Sequence, residues 1–213
     1  MEPKYLERIA DKVLRTSLEA SGAVLIEGPK WCGKTRTAEE MAASTLYLQD
    51  PDHTESYLKA ASVKPSLLLK GATPRLFDEW QMAPVLWDAV RFAVDRRRKN
   101  GQFILTGSAV PRDNAVQHTG TGRISRMLMR PMSLFESLES NGAVSLGALF
   151  GGTASGECLS ALSVEQLAFA LARGGWPASV MEPKSNIALR RVYDYVEAVI
   201  SVDVQVADGV EKS

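Results

Sequence analysis

Eight residues, Gly28-Pro-Lys-Trp-Cys-Gly-Lys-Thr35, hold the densest chemical signal in the chain. Their spacing is G-x-x-x-x-G-K-[ST], the pattern of a loop that wraps phosphate groups. Glycines let backbone N–H groups converge on phosphate oxygens with no β-carbon in the way. A helix directly after the loop aims its positive end at the same anion. Gly28, Pro29, Lys30, Trp31, Cys32 and Gly33 are expected to line the phosphate chain together with Lys34 and Thr35. Lys34 is a mobile charge able to reach the β and γ phosphates, and the Thr35 hydroxyl is suited to Mg²⁺.

A second signal lies downstream. Arg75-Leu-Phe-Asp-Glu-Trp80 reads as a short strand ending in two carboxylates. Downstream of a phosphate loop this is the Walker B arrangement, with Asp78 holding Mg²⁺ and Glu79 polarising the attacking water. Alternation along a strand predicts that these neighbours face opposite sides and so take different roles. Thr106 and Ser108 are a third signal, because small hydroxyl residues at a strand end can sense a γ-phosphate. Ser108 is the first choice, and a simple turn at Thr-Gly-Ser is the bland alternative. Arg123, in Gly120-Thr-Gly-Arg, is the fourth. A glycine loop ending in arginine could place a guanidinium on the γ-phosphate, in the same chain or on a neighbour, as arginine fingers do. The competing explanation is a surface arginine.

Strands and helices must hold these groups in place. Leu6, Ile9, Ala10, Val13, Leu14 and Leu18 repeat at helical spacing, predicting a helix over Tyr5–Glu19. Gly22–Glu27 is an apolar strand leading into the loop, and Thr37–Ala43 continues as helix. Thr45–Gln49 reads as strand and His53–Ala61 as helix, with Ser66–Lys70 ambiguous between the two. Pro84 opens a helix through Arg98, capped by Asn100-Gly101. Gln102–Thr106 and Ile124–Arg130 are further strands, and Val110–Arg123 reads as a polar loop. Beyond Pro131 the pattern turns helical: a start at Ser133–Glu136, a short helix within Gly142–Gly156, Ser163–Arg173 capped by Ser163, a sharp turn at Gly174–Pro177, and Ile187 to about Val204. Alternating strands and helices predict a parallel α/β sheet. The expected division is a core over 1–140 and a helical, lid-like segment over 141–213.

Composition removes several function classes. Lys plus Arg number 25 and Asp plus Glu number 25, so the net charge is zero. That argues against whole-domain nucleic-acid binding, and only a local patch such as Arg96–Lys99 remains, more simply explained as cations at a helix end. The two cysteines, Cys32 and Cys158, form neither a zinc cluster nor a disulfide framework. A redox role for Cys32 inside the loop is weaker than one as filler. His53 and His118 are isolated, and Trp31 either flanks a nucleotide or packs. No apolar run is long enough to span a membrane, and the first residues lack a signal-peptide core. The expectation is a cytoplasmic protein.

Taken in order, Gly-Pro-Lys-Trp-Cys-Gly-Lys-Thr, Leu-Phe-Asp-Glu-Trp-Gln, Ile-Leu-Thr-Gly-Ser-Ala, Gly-Thr-Gly-Arg, Arg-Pro-Met-Ser-Leu-Phe-Glu and Gly-Gly-Trp-Pro resemble prokaryotic predicted ATPases of the AAA+ superfamily. In that group the ATPase domain precedes a DUF4143 domain. The resemblance covers nearly the whole chain. It implies a P-loop sheet of five parallel strands in the order 5-1-4-3-2, helices on both faces and a helical C-terminal lobe. It also puts Gln81 near the active site. Members continue well beyond the long helix, so the chain is expected to lack most of the C-terminal domain.

These readings point to an ATP-binding protein that hydrolyses ATP with Mg²⁺. A nucleotide-gated binding module with little hydrolysis of its own is the alternative, favoured by the short Walker B strand. A small-molecule kinase fits less well, because no acceptor site is evident. ATP over GTP rests on the resemblance and on the lack of an Asn-Lys-x-Asp guanine signature. A homo-oligomer or a protein partner is compatible with this reading.

Overall fold

The computed structural model describes residues 5–107, 120–153 and 158–203. They divide into two compact units. One is Arg8–Arg130, and the other is built from Pro131 onward together with the stretch before Arg8.

The first unit is an α/β sandwich. Its strands are β1 (Ala23–Glu27), β2 (Ser44–Tyr47), β3 (Arg75–Asp78), β4 (Phe103–Thr106) and β5 (Ile124–Leu128). They form one sheet in the order β2-β3-β4-β1-β5, which is 5-1-4-3-2 read from the other edge. Every neighbouring pair is parallel. α1 (Ile9–Ala20) precedes β1, and α2 (Lys34–Glu39), α3 (Thr54–Val63) and α4 (Val85–Arg97) run between strands.

Two-residue alternation sorts the strand side chains onto two faces. Ala23, Leu25, Phe77, Phe103, Leu105 and Ile124 face one way and pack with Ala61 of α3 and Leu86, Trp87 and Val90 of α4. Val24, Ile26, Leu76, Ile104 and Met127 face the other way and pack with Leu14 and Leu18 of α1 and Ala38 of α2. Both faces are covered, as a parallel sheet requires.

Several boundaries differ from the sequence reading for local reasons. Tyr5–Arg8 are not helical: the Arg8 backbone N–H donates to Asp11 Oδ2 at 2.8 Å and starts α1 one residue later. α2 stops at Glu39, and by Ala43 the backbone N–H already donates to Pro74 O at 2.8 Å, leading the chain into β2 beside β3. The ambiguous Ser66–Lys70 stretch contains a 3-10 turn, Pro65–Leu67, and no strand. α4 is closed by Arg98 in the left-handed region (φ 52°), whose N–H donates to Val94 O, and not by Asn100-Gly101. The Asn100 amide instead donates to Glu19 O at 2.7 Å.

The second unit holds α5 (Leu146–Phe150), α6 (Val164–Arg173), α7 (Pro177–Val180) and α8 (Ser185–Ala198), with a π turn over Val199–Asp203. Ser163 caps α6 as expected, its hydroxyl accepting from Gln166 N and its own N–H donating to Gln166 Oε1. The related Ser-x-x-Glu pattern at Ser133 does not start a helix. Glu136 does accept from Ser133 N and Oγ. Leu138 then turns left-handed (φ 64°), and Glu139 and Ser140 N–H both return to Leu134 O, ending the chain's helical path after one turn. α7 is a short helix that the sequence pattern does not announce, opened by Pro177 at the end of the expected turn. The Arg173 guanidinium is buried and pairs with Glu139 at 2.7 Å. Among the described residues, no helix is long and apolar enough to cross a membrane.

Candidate functional site

The register of the sheet lines up its chemistry. Tyr47 pairs with Asp78, Asp78 with Thr106, and Thr106 with Ile26, one row across the C-terminal end of four strands. Gly28 comes immediately after β1, so the phosphate-type loop leaves the sheet at that row. Asp78 lies two residues beyond Leu76 and Thr106 two beyond Ile104, so both aim at the face covered by α2. α2 carries Thr35 on its first turn.

These groups meet. The Thr35 hydroxyl donates to Asp78 Oδ1 at 2.7 Å, and the Thr106 hydroxyl donates to the same oxygen at 2.6 Å. Asp78 is 3% exposed, so its charge is compensated almost wholly by protein dipoles. Lys34 is buried, and its ammonium donates to Gly28 O and Pro29 O, both at 2.9 Å, folding back over the loop. The carbonyls of Gly28 and Pro29 thus supply acceptors that phosphate oxygens can replace.

The loop's backbone explains its composition. Gly28 (φ 151°) and Gly33 (φ 101°) sit where side chains are strained. A β-carbon on Gly28 would also overlap Met129 O. Trp31 is left-handed too (φ 62°) and 65% exposed, so it does not pack into the core. Lys30 and Pro29 are exposed as well.

Cys32 points the other way. It is fully buried in the cluster under α1, with its Sγ 3.8 Å from Met129 O. Burial pushes its thiol up, more than Lys34 and Arg8 nearby pull it down. A protonated, inaccessible thiol has no redox chemistry at neutral pH, which leaves filler as its role. Iodoacetamide on the folded protein is therefore expected to label exposed Cys158 and spare Cys32, with both labelled in guanidinium, as read by peptide mass. Equal labelling in the folded state would show that the loop does not hold Cys32 shut.

Sequence reasoning missed Arg8. It is 5% exposed, and its guanidinium donates to Cys32 O at 2.9 Å and Arg130 O at 2.8 Å. It thereby ties the phosphate-type loop to the chain leaving β5. Its partners are backbone carbonyls far away in sequence, so no pattern announces it.

Glu79 departs from the expected geometry. β3 ends at Asp78, and Glu79 turns left-handed (φ 53°, ψ 47°) before a 3-10 turn over Trp80–Met82. Its direction comes from that turn and not from strand alternation. Its carboxylate Oε2 accepts a short hydrogen bond from the Gln81 side-chain amide. Thr106, the second choice for the sensing position, is the residue that touches Asp78; Ser108, the first choice, lies outside the described residues, as does His118.

Arg123 is at the wrong end of the sheet to serve the loop of its own chain. Its carbonyl accepts from Ala23 N at the N-terminal end of β1, roughly 15 Å from the loop at strand rise. Its guanidinium pairs with Asp95 of α4 at 2.8 Å. In a parallel sheet, segments entering the strands and segments leaving them lie at opposite ends. Arg123 enters β5 and the phosphate-type loop leaves β1, which corrects the same-chain arginine-finger expectation.

Hard oxygen donors suit a divalent cation. Thr35 Oγ1 and Asp78 are already adjacent, and Mg²⁺ needs only one or two protein oxygens when phosphates supply others. Among the described residues, no group of three or more His, Cys, Asp or Glu side chains is placed to hold a metal ion alone. Thr35 and Asp78 would therefore suit a Mg²⁺ whose other oxygens come from phosphates.

Comparison with known proteins agrees with this arrangement. Structurally, the chain is similar to the Walker-type ATPase PABY2304 of Pyrococcus abyssi, with a TM-score of 0.55 at 16% identity, covering 96% of this chain and 76% of that one. It also aligns with C. elegans PCH-2 at a TM-score of 0.39 and 13% identity, over 87% of this chain and 66% of that one, too low to specify a shared fold. No curated protein matches the chain. The AAA domain family matches residues 20–138, more than half of the chain. That stretch contains the loop, the buried Asp78 and all five strands, and on this match the chain belongs to the AAA domain family, whose fold is built to bind nucleotides.

Proposed function

We propose that the chain binds ATP with Mg²⁺ and hydrolyses it to ADP and phosphate. One observation carries this reading: the Thr35 and Thr106 hydroxyls converge on a single oxygen of buried Asp78, directly beside a loop roofed by Lys34. Loop N–H groups and Lys34 bind the phosphate chain. Thr35 and Asp78 hold Mg²⁺, which supplies charge neutralisation on the phosphates when bound. Glu79 takes a proton from the attacking water. Thr106 fixes Asp78 in one rotamer and occupies the sensing position that Ser108 was expected to fill. Catalysis of this kind is mostly positioning plus charge stabilisation.

The division into a core over 1–140 and a helical, lid-like segment over 141–213, with affiliation to the DUF4143-bearing ATPases, belongs to this reading, although the compact units divide after Arg130. Arg123, placed away from its own loop, retains only a role toward a neighbouring copy.

A second reading has its own support. The Glu79 carboxylate is engaged by the Gln81 amide, which suits a nucleotide-gated module that turns over little alone. Phosphate release from ATP, with Mg²⁺ and again with EDTA, separates the two. Release above buffer that EDTA abolishes supports hydrolysis. Tight ATP binding by calorimetry without release supports the gated module.

A further inference from the structure

Arg8 stands where three stretches of the chain meet. The α/β unit begins at Arg8 and ends at Arg130, so the chain crosses to the other unit twice, at Glu7–Arg8 and at Arg130–Pro131. The Arg8 guanidinium donates through Nη2 to Arg130 O at 2.8 Å and through Nη1 to Cys32 O at 2.9 Å. One planar group therefore joins both crossings to the phosphate-type loop. The stretch leaving β5 meets the loop at further points. Met129 O lies 3.8 Å from Cys32 Sγ, and it is the atom that a β-carbon on Gly28 would overlap. The start of α1 uses only the Arg8 backbone N–H, which donates to Asp11 and which most residues could supply. The buried guanidinium is what this position adds, and burying a charge costs free energy unless its donors are used.

We propose that Arg8 is a positioning residue for the nucleotide site assigned above, on which this inference rests, and that it carries loop occupancy to the Arg130–Pro131 crossing. In a trans peptide the C=O and the following N–H point in opposite directions. Cys32 O is held by Arg8, so the Gly33 N–H is aimed away from Arg8. Gly33 is the N-cap of α2, where backbone N–H groups receive an anion. Its left-handed backbone (φ 101°) lets the plane take this direction without strain from a side chain. Arg8 touches no phosphate itself. It fixes one donor of the loop in advance, and by the same fork it makes any shift of that donor a shift of Arg130 O.

Arg8→Met keeps an apolar stem and removes the fork. Arg8→Lys keeps the charge without the two parallel donors, and takes its place in the test should Arg8→Met not fold, as melting curves decide. In the folded variant the loop is expected to open more often, so that iodoacetamide labels Cys32 at least about tenfold faster than in wild type. Affinity for ATP by calorimetry is expected to fall about tenfold, with kcat at saturating ATP within about twofold, because the lost interaction serves ground state and transition state alike. Hydrogen exchange at the Arg130 and Met132 amides is expected to slow when ATP binds wild type, and not to respond when ATP saturates the variant. A lower melting temperature with wild-type Cys32 labelling and wild-type affinity would make Arg8 a structural residue only and overturn the proposal. So would a wild-type exchange response in the variant, or none in wild type with ATP bound. In each of those cases the nucleotide reading stands. If wild type binds no ATP, the nucleotide reading fails and this proposal fails with it.

Discussion

Lys34→Ala is expected to weaken nucleotide binding by more than about tenfold. Lys34 as a whole is buried, and its ammonium is held at 2.9 Å by Gly28 O and Pro29 O, so it is already positioned over the loop. Binding a phosphate chain exchanges two neutral acceptors for anionic ones, which adds charge–charge attraction to hydrogen bonds that the ammonium already strengthens. Little ordering of Lys34 remains to be done. Removing one partner of such a buried charge pair typically costs about 2–5 kcal/mol. At about 1.4 kcal/mol per tenfold, affinity should fall by roughly 30- to 3,000-fold, which moves a micromolar site to between tens of micromolar and millimolar, a shift calorimetry reads directly. The loop itself should persist: Gly28, Trp31 and Gly33 set its path, Cys32 is anchored in the core, and Arg8 holds Cys32 O. Unchanged affinity for ATP in a folded Lys34→Ala protein would remove the loop from the binding site.

The features legible in the sequence are those whose chemistry and geometry sit in one segment. The loop is such a case, because strand, glycines, lysine and helix are contiguous. Asp78 is another, because an apolar strand ending in a carboxylate carries its own direction. Thr106 is legible in principle: it lies two residues beyond Ile104 and so shares a face with Asp78. Arg123 fails by the same topology, since it precedes a parallel strand and must emerge at the far end. Strand order comes from resemblance, not pattern, because alternation says which face a residue takes and nothing about which strand lies beside it. Arg8 and the Glu79–Gln81 contact are hidden for different reasons. The first depends on carbonyls brought together only by the closed sheet, and the second on one left-handed residue that no local pattern requires.

That left-handed residue is also where binding and turnover separate. Glu79→Gln is expected to leave ATP affinity within about twofold of wild type and to lower kcat by about 10²- to 10⁴-fold, the range for removing a general base. The substitution is isosteric, and a carboxamide oxygen can still accept from the Gln81 amide, so the geometry at the end of β3 should be retained. What is lost is the ability to take a proton. Glu79 lies outside the Thr35–Asp78–Thr106 cluster, so the groups that hold phosphate and metal are untouched. An interaction used only in the transition state changes kcat and kcat/KM equally, which is the opposite signature to that of Lys34→Ala. Calorimetry and steady-state phosphate release on the same preparation distinguish them. Wild-type turnover by Glu79→Gln would assign the base elsewhere, and weakened binding would mean that the Glu79 charge supports the nucleotide site before any chemistry begins.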